Sequence, residues 1–336
     1  MSKEENDIKS VEEAVISLYK KVNPSYVDII SDREKYKLIS NSREIVSKNL
    51  KLDFLLPRFK KIVDIGGGTG ESALFRALFG KDIETTIIDR NEKALVYAKM
   101  LFDRHNEKLN TKQKSLFELD QSDIAGYDLV VCEGVLHHTA EPMTGLRHIL
   151  GLMEKGQFLY IALAEESGWF RRQMQRDFVR NYCDGEAEIV QRSKIYFKEH
   201  IENSMKYGGR SEESIIYDTF VNPQIQPTDI ADLLCNFQGA KLYSSFPPLF
   251  LNDASAPINQ KELYENKSYD LNYFRKRWKV GYTLNMPSDN VDSIHSALLE
   301  LREDINNLIE SPLNLNLIQT GPMGYGMNFF CLVKES

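Results

Sequence analysis

Two adjacent imidazoles, His137 and His138, close the run EGVLHHT at 133–139, and no other side chain titrates so near neutral pH when unperturbed. Either ring is a candidate general base for an acceptor that must lose a proton as it attacks. The plainer alternative is that one ring packs inside its loop while the other hydrogen-bonds backbone. Upstream, Asp64-Ile65-Gly66-Gly67-Gly68-Thr69-Gly70 links an apolar stretch to a helix-forming one. Its glycines let the chain turn sharply and let a ligand approach closer than any Cβ would permit. Such a turn alone does not choose a ligand, because Gly68-x-Gly70-x-x-Ala73 also fits a variant of the dinucleotide fingerprint, with its first glycine late in the turn. Asp89 closes TIIDR, and a carboxylate there can accept both ribose hydroxyls of an adenosine. Capping of a helix that starts near Asn91 is the competing reading.

Alternating elements must position these residues. Short β-branched or apolar runs at 62–65, 84–88, 112–117, 127–134 and 157–163 predict strands. Between them, 72–79, a stripe of Ala94, Leu95, Ala98, Leu101 and Phe102, and a stretch opened by Pro142 predict helices. Strands alternating with helices imply a parallel sheet covered on both faces, with ligands bound beyond the carboxyl ends of the strands. The glycine turn, Asp89, the segment KSLFELD at 114–120 and EGVLHHT all fall at those ends. A helical preface precedes the sheet at 1–60: Ile8, Val11, Val15, Leu18 and Val22 have helical spacing up to Asn23-Pro24, and a second helix is predicted over 33–50. The core is expected at 61–165 and a helical cap over the acceptor at 166–222. Residues 223–336 complete the sheet, with Thr228 as a helix N-cap, strands at 241–246 and 328–333, and a second insert at about 247–320. That insert holds a helix from Val291 to Leu308, stopped by Ser311-Pro312.

Taken in order, IVDIGGGTG, TIIDR, KSLFELD, YDLVVCEGVLHHT and FLYIAL resemble the class I S-adenosyl-L-methionine (SAM)-dependent methyltransferases of the bacterial small-molecule type. The resemblance covers about 60–165 and implies an α/β, Rossmann-like core. Its sheet would have seven mostly parallel strands, the last one antiparallel, with SAM as cofactor and S-adenosyl-L-homocysteine as product. Carried over by position, it puts Asp64, Gly66, Gly67, Gly68 and Gly70 in the cofactor loop and Asp89 on the ribose. Arg90 would flank the adenine, with Ser115, Leu116 and Glu118 as further adenine candidates. Glu133, Gly134 and Val135 would line the methyl side. A weaker similarity at YDTFVNP offers Tyr217 and Asp218 as acceptor residues, although Asn222 stands where the family element usually has histidine.

The 336 residues carry a formal charge of −7, which argues against a nucleic-acid backbone as partner. No apolar run is long enough to cross a bilayer, and the N-terminus lacks a secretion profile, so a cytoplasmic location is expected. Cys132, Cys183, Cys235 and Cys331 are far apart and suggest reduced thiols with no metal site. Arg171, Arg172, Arg176 and Arg180 read as a solvated helix face or as a site for an anionic acceptor, and Arg275, Lys276, Arg277 and Lys279 form a second cluster. Tyr19, Tyr26, Trp169, Phe170, Tyr196, Phe197, Tyr207 and Tyr217 could enclose an aromatic one. The expected function is methyl transfer to a small molecule. The alternatives are a non-catalytic SAM-binding protein, an NAD(P)-dependent oxidoreductase, and an enzyme with a protein or tRNA acceptor. No Tyr-Lys hydride pair and no Asn/Asp-Pro-Pro-Tyr motif follows strand four.

Overall fold

The computed structural model describes residues 3–22, 26–80, 82–181, 183–237, 239–247, 279, 291–306 and 326–335. Seven strands form one sheet: β1 (Lys61–Ile65), β2 (Glu84–Asp89), β3 (Leu109–Gln113), β4 (Leu129–Glu133), β5 (Phe158–Ala164), β6 (Ala240–Phe246) and β7 (Met327–Lys334). Their order is β3-β2-β1-β4-β5-β7-β6. β7 runs antiparallel to both of its neighbours, and the other strands are parallel to one another. This is the Rossmann-like α/β architecture, with the antiparallel last strand, that the sequence implies.

The sheet is held by central strands that are mostly apolar and buried. Ile62, Val63, Leu129, Val130, Val131, Leu159 and Ile161 are all fully buried, as expected where helices cover both faces. Strand order reverses between β1 and β4, which lie side by side with Asp64 opposite Val131. The turns that leave these two strands therefore diverge and open a crevice at their carboxyl ends.

The helices in chain order are α1 (Lys3–Lys21), α2 (Arg33–Asn49), α3 (Glu71–Gly80), α4 (Glu92–Arg104), α5 (Gln121–Ile124), α6 (Pro142–Leu152), α7 (Phe170–Arg180), α8 (Glu186–Tyr196), α9 (Lys198–Gly208), α10 (Glu212–Ile216), α11 (Ile230–Cys235) and α12 (Val291–Asn306). Helices α7 to α10 fill the region expected to be an insert and have a small core of their own. There Phe178, Phe197 and Phe220 are buried, and the last two stack at 5.4 Å. Among the described helices, none is long and apolar enough to cross a membrane.

The sequence reading is corrected at two elements. The third strand lies at Leu109–Gln113, earlier than 112–117, because LNTKQ is a polar edge strand without an apolar run, while Leu116 belongs to a single helical turn. The cap of α11 is Asp229, whose carboxylate accepts the N–H groups of Ala231 and Asp232, and not Thr228. The predicted stop at Ser311-Pro312 and most of the second insert lie outside the described residues.

Candidate active site

A cavity of about 420 Å³ opens over the crevice between β1 and β4. Its floor is the glycine turn. Gly66 has φ +69° and an added Cβ would come within 2.3 Å of Val135, so only glycine fits against the β4 loop. Gly68 also has positive φ, but its Cβ position faces open space, as does that of Gly134. Both thus present bare backbone to whatever fills the cavity. The Gly68 N–H donates to Asp89 at 2.8 Å, while the other oxygen of Asp89 accepts the Asn91 N–H at 2.7 Å. Burial raises the carboxyl pKa of Asp89.

Beneath the turn lies a charge network. The buried Arg76 donates to Asp64 at 3.0 Å and to Glu133 at 2.5 Å, and Arg43 from α2 completes it by pairing with Glu133. The Arg76 guanidinium also lies 4.7 Å from the centre of the Tyr160 ring. Two arginines thus meet two carboxylates, and the unit is neutral as a whole. It ties the ends of β1 and β4 to α2 and α3. At the start of α3, Glu71 accepts the Thr69 hydroxyl at 2.6 Å, while its other oxygen is buried without a partner. Burial pushes Glu71 up to about 7.

Helix α1 roofs the cavity. Glu12 accepts from Arg90 at 3.0 Å and from the Ser115 hydroxyl at 2.5 Å, joining the ends of β2 and β3 to the preface. Tyr19 meets the His138 ring edge-on at 6.3 Å.

The two histidines have different surroundings. His137 is buried behind the wall and its Nδ1 accepts the Ala164 N–H at 3.2 Å; burial keeps it neutral. His138 lines the cavity. Its Nδ1 lies 2.8 Å from the carbonyl oxygen of Gln224 and 3.3 Å from the Asn222 side-chain nitrogen; the shorter contact, to a group that can only accept, favours the ring proton on Nδ1 and a lone pair on Nε2. Burial, ahead of its neighbouring charges, lowers the His138 pKa and favours this neutral form.

Comparison with known proteins matches residues 63–159 to a family model described as a methyltransferase domain. An uncharacterized protein of Synechococcus sp. is 32% identical over 118 residues, which are 34% of this chain and 28% of that protein. The ubiquinone biosynthesis O-methyltransferase of Nitrosospira multiformis is 27% identical over 31% of this chain and 42% of its own length. The ribosomal RNA small subunit methyltransferase G of Mesoplasma florum is 25% identical over 35% and 53%. The chain thus spans about a quarter to a half of the length of these relatives.

Within the span similar to that domain, Asp64, Gly66, Gly67, Gly68, Asp89, Arg90, Ser115, Leu116, Glu133, Gly134, Val135 and His138 all line the cavity. Gly70 does not, because it packs against Ala98 of α4. Glu118 points elsewhere and accepts the Ser115 N–H at 3.0 Å in a capping box. Outside the domain, Tyr217 donates to Glu186 at 2.6 Å beside Lys21, fastening the insert to α1, and Asp218 pairs with Arg210 at 2.9 Å. Neither residue lines the cavity, whereas Arg210 does. Of the aromatic side chains expected around the acceptor, Tyr19 lines the cavity, while Phe197 packs in the insert core. The side chain of Tyr207 lies outside the described residues. The sequence reading missed Glu12, Arg43, Glu71, Arg76 and Arg210. Only Arg76 gave a signal, as the lone charge within SALFRALFG, matched by the lone charge of Asp64 in IVDI at 62–65.

Proposed function

We propose that this chain is a SAM-dependent methyltransferase acting on a small-molecule acceptor. The observation that carries the reading is the cavity itself. It joins bare glycine backbone, the Asp89 carboxylate and the His138 imidazole at the carboxyl ends of β1, β2 and β4. Its volume lies within the range of about 300–1,000 Å³ usual for small-molecule sites. Gly68 and Gly134 leave open space where a side chain would stand, so these residues fit a close-lying cofactor.

When bound, SAM supplies an activated methyl group, whose bond to sulfur breaks as the bond to the acceptor forms. The protein's work is then to bind, align and exclude water. Asp89 is placed to take hydroxyls, although it must share oxygens now used by Gly68 and Asn91. Helix α1 covers the cavity and keeps water out. His138 accepts the acceptor's proton at Nε2, and the Gln224 carbonyl holds the ring in the tautomer that leaves that atom free. The small-molecule reading is supported by the roofing of the site by α1 and by the net charge of −7, which disfavours a nucleic-acid acceptor.

Calorimetric titration of SAM, S-adenosyl-L-homocysteine and NADH tests the cofactor, with Asp89→Ala as the control. The reading expects both sulfur compounds to bind and the variant to lose them. Preference for NADH, or no binding of either sulfur compound, overturns it. His138→Gln is expected to keep S-adenosyl-L-homocysteine binding and lose about 10²-fold or more in turnover, the usual effect of a removed acid–base group.

A further inference from the structure

Five of the described residues that line the cavity are carboxylates, and they differ in what satisfies them. Glu12 accepts from Arg90 and Ser115, the two oxygens of Asp89 accept the Gly68 and Asn91 amides, and Asp64 and Glu133 meet arginines. Glu71 is different. One of its oxygens takes the Thr69 hydroxyl at 2.6 Å, and the other, Oε1, is buried with no hydrogen-bond partner. An acceptor left buried and unpaired is costly, and a donor brought by a ligand would remove that cost.

Glu71 begins α3, directly after the glycine turn that leaves β1. It shares the cavity wall with Val27, Ile39 and Arg43. The strand order β3-β2-β1-β4 sets Ser115, Asp89, the glycine turn and Gly134 in succession across the cavity. An adenosine held by Asp89 and Ser115 occupies the β2 and β3 end. The rest of such a ligand extends toward β1 and β4, the end at which Glu71 follows its turn. In SAM and in S-adenosyl-L-homocysteine that remainder is an amino-acid arm, whose ammonium carries three N–H donors. An ammonium suits an unpaired carboxylate oxygen by charge as well as by hydrogen bonding.

We propose that Glu71 binds the ammonium of the cofactor's amino-acid arm and makes the chain select for a ligand that carries it. The inference rests on the SAM reading and deepens it by assigning a residue to the charged end of the cofactor. The groups facing the Glu71 carboxyl are the Thr69 hydroxyl, the Val27 amide, Arg43 of α2, Tyr26 and Tyr97 of α4. Burial outweighs Thr69, Val27 and Arg43, which favour the anion, and holds the carboxyl at about 7. The free protein therefore keeps a share of Glu71 protonated at neutral pH, whereas pairing with an ammonium needs the anion. The Glu71 proton passes to solvent as the pair forms, the ligand's amine being protonated already. Affinity for the cofactor should then rise about tenfold per pH unit below 7 and level off above it.

The test compares S-adenosyl-L-homocysteine with its deamino analogue, in which hydrogen replaces the ammonium. Both are titrated into the full chain by calorimetry, in buffers of different ionisation enthalpy so that released protons are counted. S-adenosyl-L-homocysteine should bind about tenfold or more tighter than the analogue, the usual effect of a charge-assisted hydrogen bond. It should also release close to one proton at pH 6, and the analogue should release fewer. Glu71→Gln should abolish both differences, and Glu71→Asp should restore part of them. Equal affinities in the wild type, equal proton release, or differences that survive in Glu71→Gln overturn the proposal. Should Glu71→Gln lose its fold by circular dichroism, the wild-type comparison and Glu71→Asp decide. Failure of both compounds to bind would count against the SAM reading itself. Binding of both with equal affinity would count against the ammonium site alone.

Discussion

The floor of the cavity and the helical insert above it both bury arginine, but they balance it in opposite ways. In the floor, Arg43 and Arg76 meet Asp64 and Glu133 within one network, and each buried charge has an opposite charge beside it. In the insert, Arg176 is satisfied by carbonyl dipoles and Arg172 by a neutral imidazole. A closed network fixes geometry, because any shift of one member strands the others. The floor is therefore held by charge pairing between the strand ends and helices α2 and α3, and the insert by hydrogen bonds from arginines to neutral groups.

Breaking the floor should have the largest effect. Arg76→Met strands Asp64 as a buried charge and leaves Glu133 to Arg43 alone, and about 3–5 kcal/mol of stability should be lost, measured by urea unfolding with S-adenosyl-L-homocysteine absent. A loss below about 1 kcal/mol would show that the network is not closed in solution. Next comes the structural arginine of the insert. Arg176→Met should cost about 1.5–3 kcal/mol, the usual worth of hydrogen bonds made by a charged group, and should disturb the turn at Tyr217–Val221. Hydrogen exchange of the Asn222 amide, now bonded to the Tyr217 carbonyl at 2.7 Å, reports on that turn directly.

The pH dependence of Glu71 is a subtler probe of the floor. Its pKa is raised from 4.5 to about 7 by burial, so between these values the folded chain holds a proton that the unfolded chain has released. Stability contributed by this group is therefore present at and below pH 4.5, falls as pH rises toward 7, and changes little beyond. Glu71→Gln should remove that slope, as seen in melting temperatures taken across the range; a variant with the wild-type slope would place the titration elsewhere. The smallest change is expected at Arg172. Arg172→Met should leave stability within about 0.5 kcal/mol of wild type, since among the described residues it loses a contact with a neutral imidazole and no ion pair. A loss comparable with that of Arg76→Met would mean that the insert is balanced after all.

The glycine turn, Asp89 and the His137-His138 pair were legible in the sequence because each is a local signal. Positive φ needs glycine, a strand end is marked by the change from β-branched to polar residues, and adjacent imidazoles are rare. The alternation of 61–165 was legible for a similar reason, since strands buried on both faces carry a run of apolar residues. Strand β3 was misplaced because an edge strand is under no such demand and LNTKQ has no apolar run. Glu12 and Arg43 were invisible because nothing distinguishes a charge on the outer face of an amphipathic helix from one that turns into a cavity. That depends on where α1 and α2 dock, and docking is set by contacts between residues far apart in the chain. The same holds for the division among the α7 arginines. Arg172, Arg176 and Arg180 stand evenly spaced in sequence, but carbonyls from 219–222 reach Arg176 and Arg180, and a histidine from α9 reaches Arg172. By itself, then, the sequence determined the architecture and the turns that can cradle a ligand, because these follow from backbone preference and short-range patterning. Only the tertiary structure decided which histidine faces the cavity and which arginines meet carboxylates, because burial and electrostatic balance depend on the three-dimensional neighbours of each group.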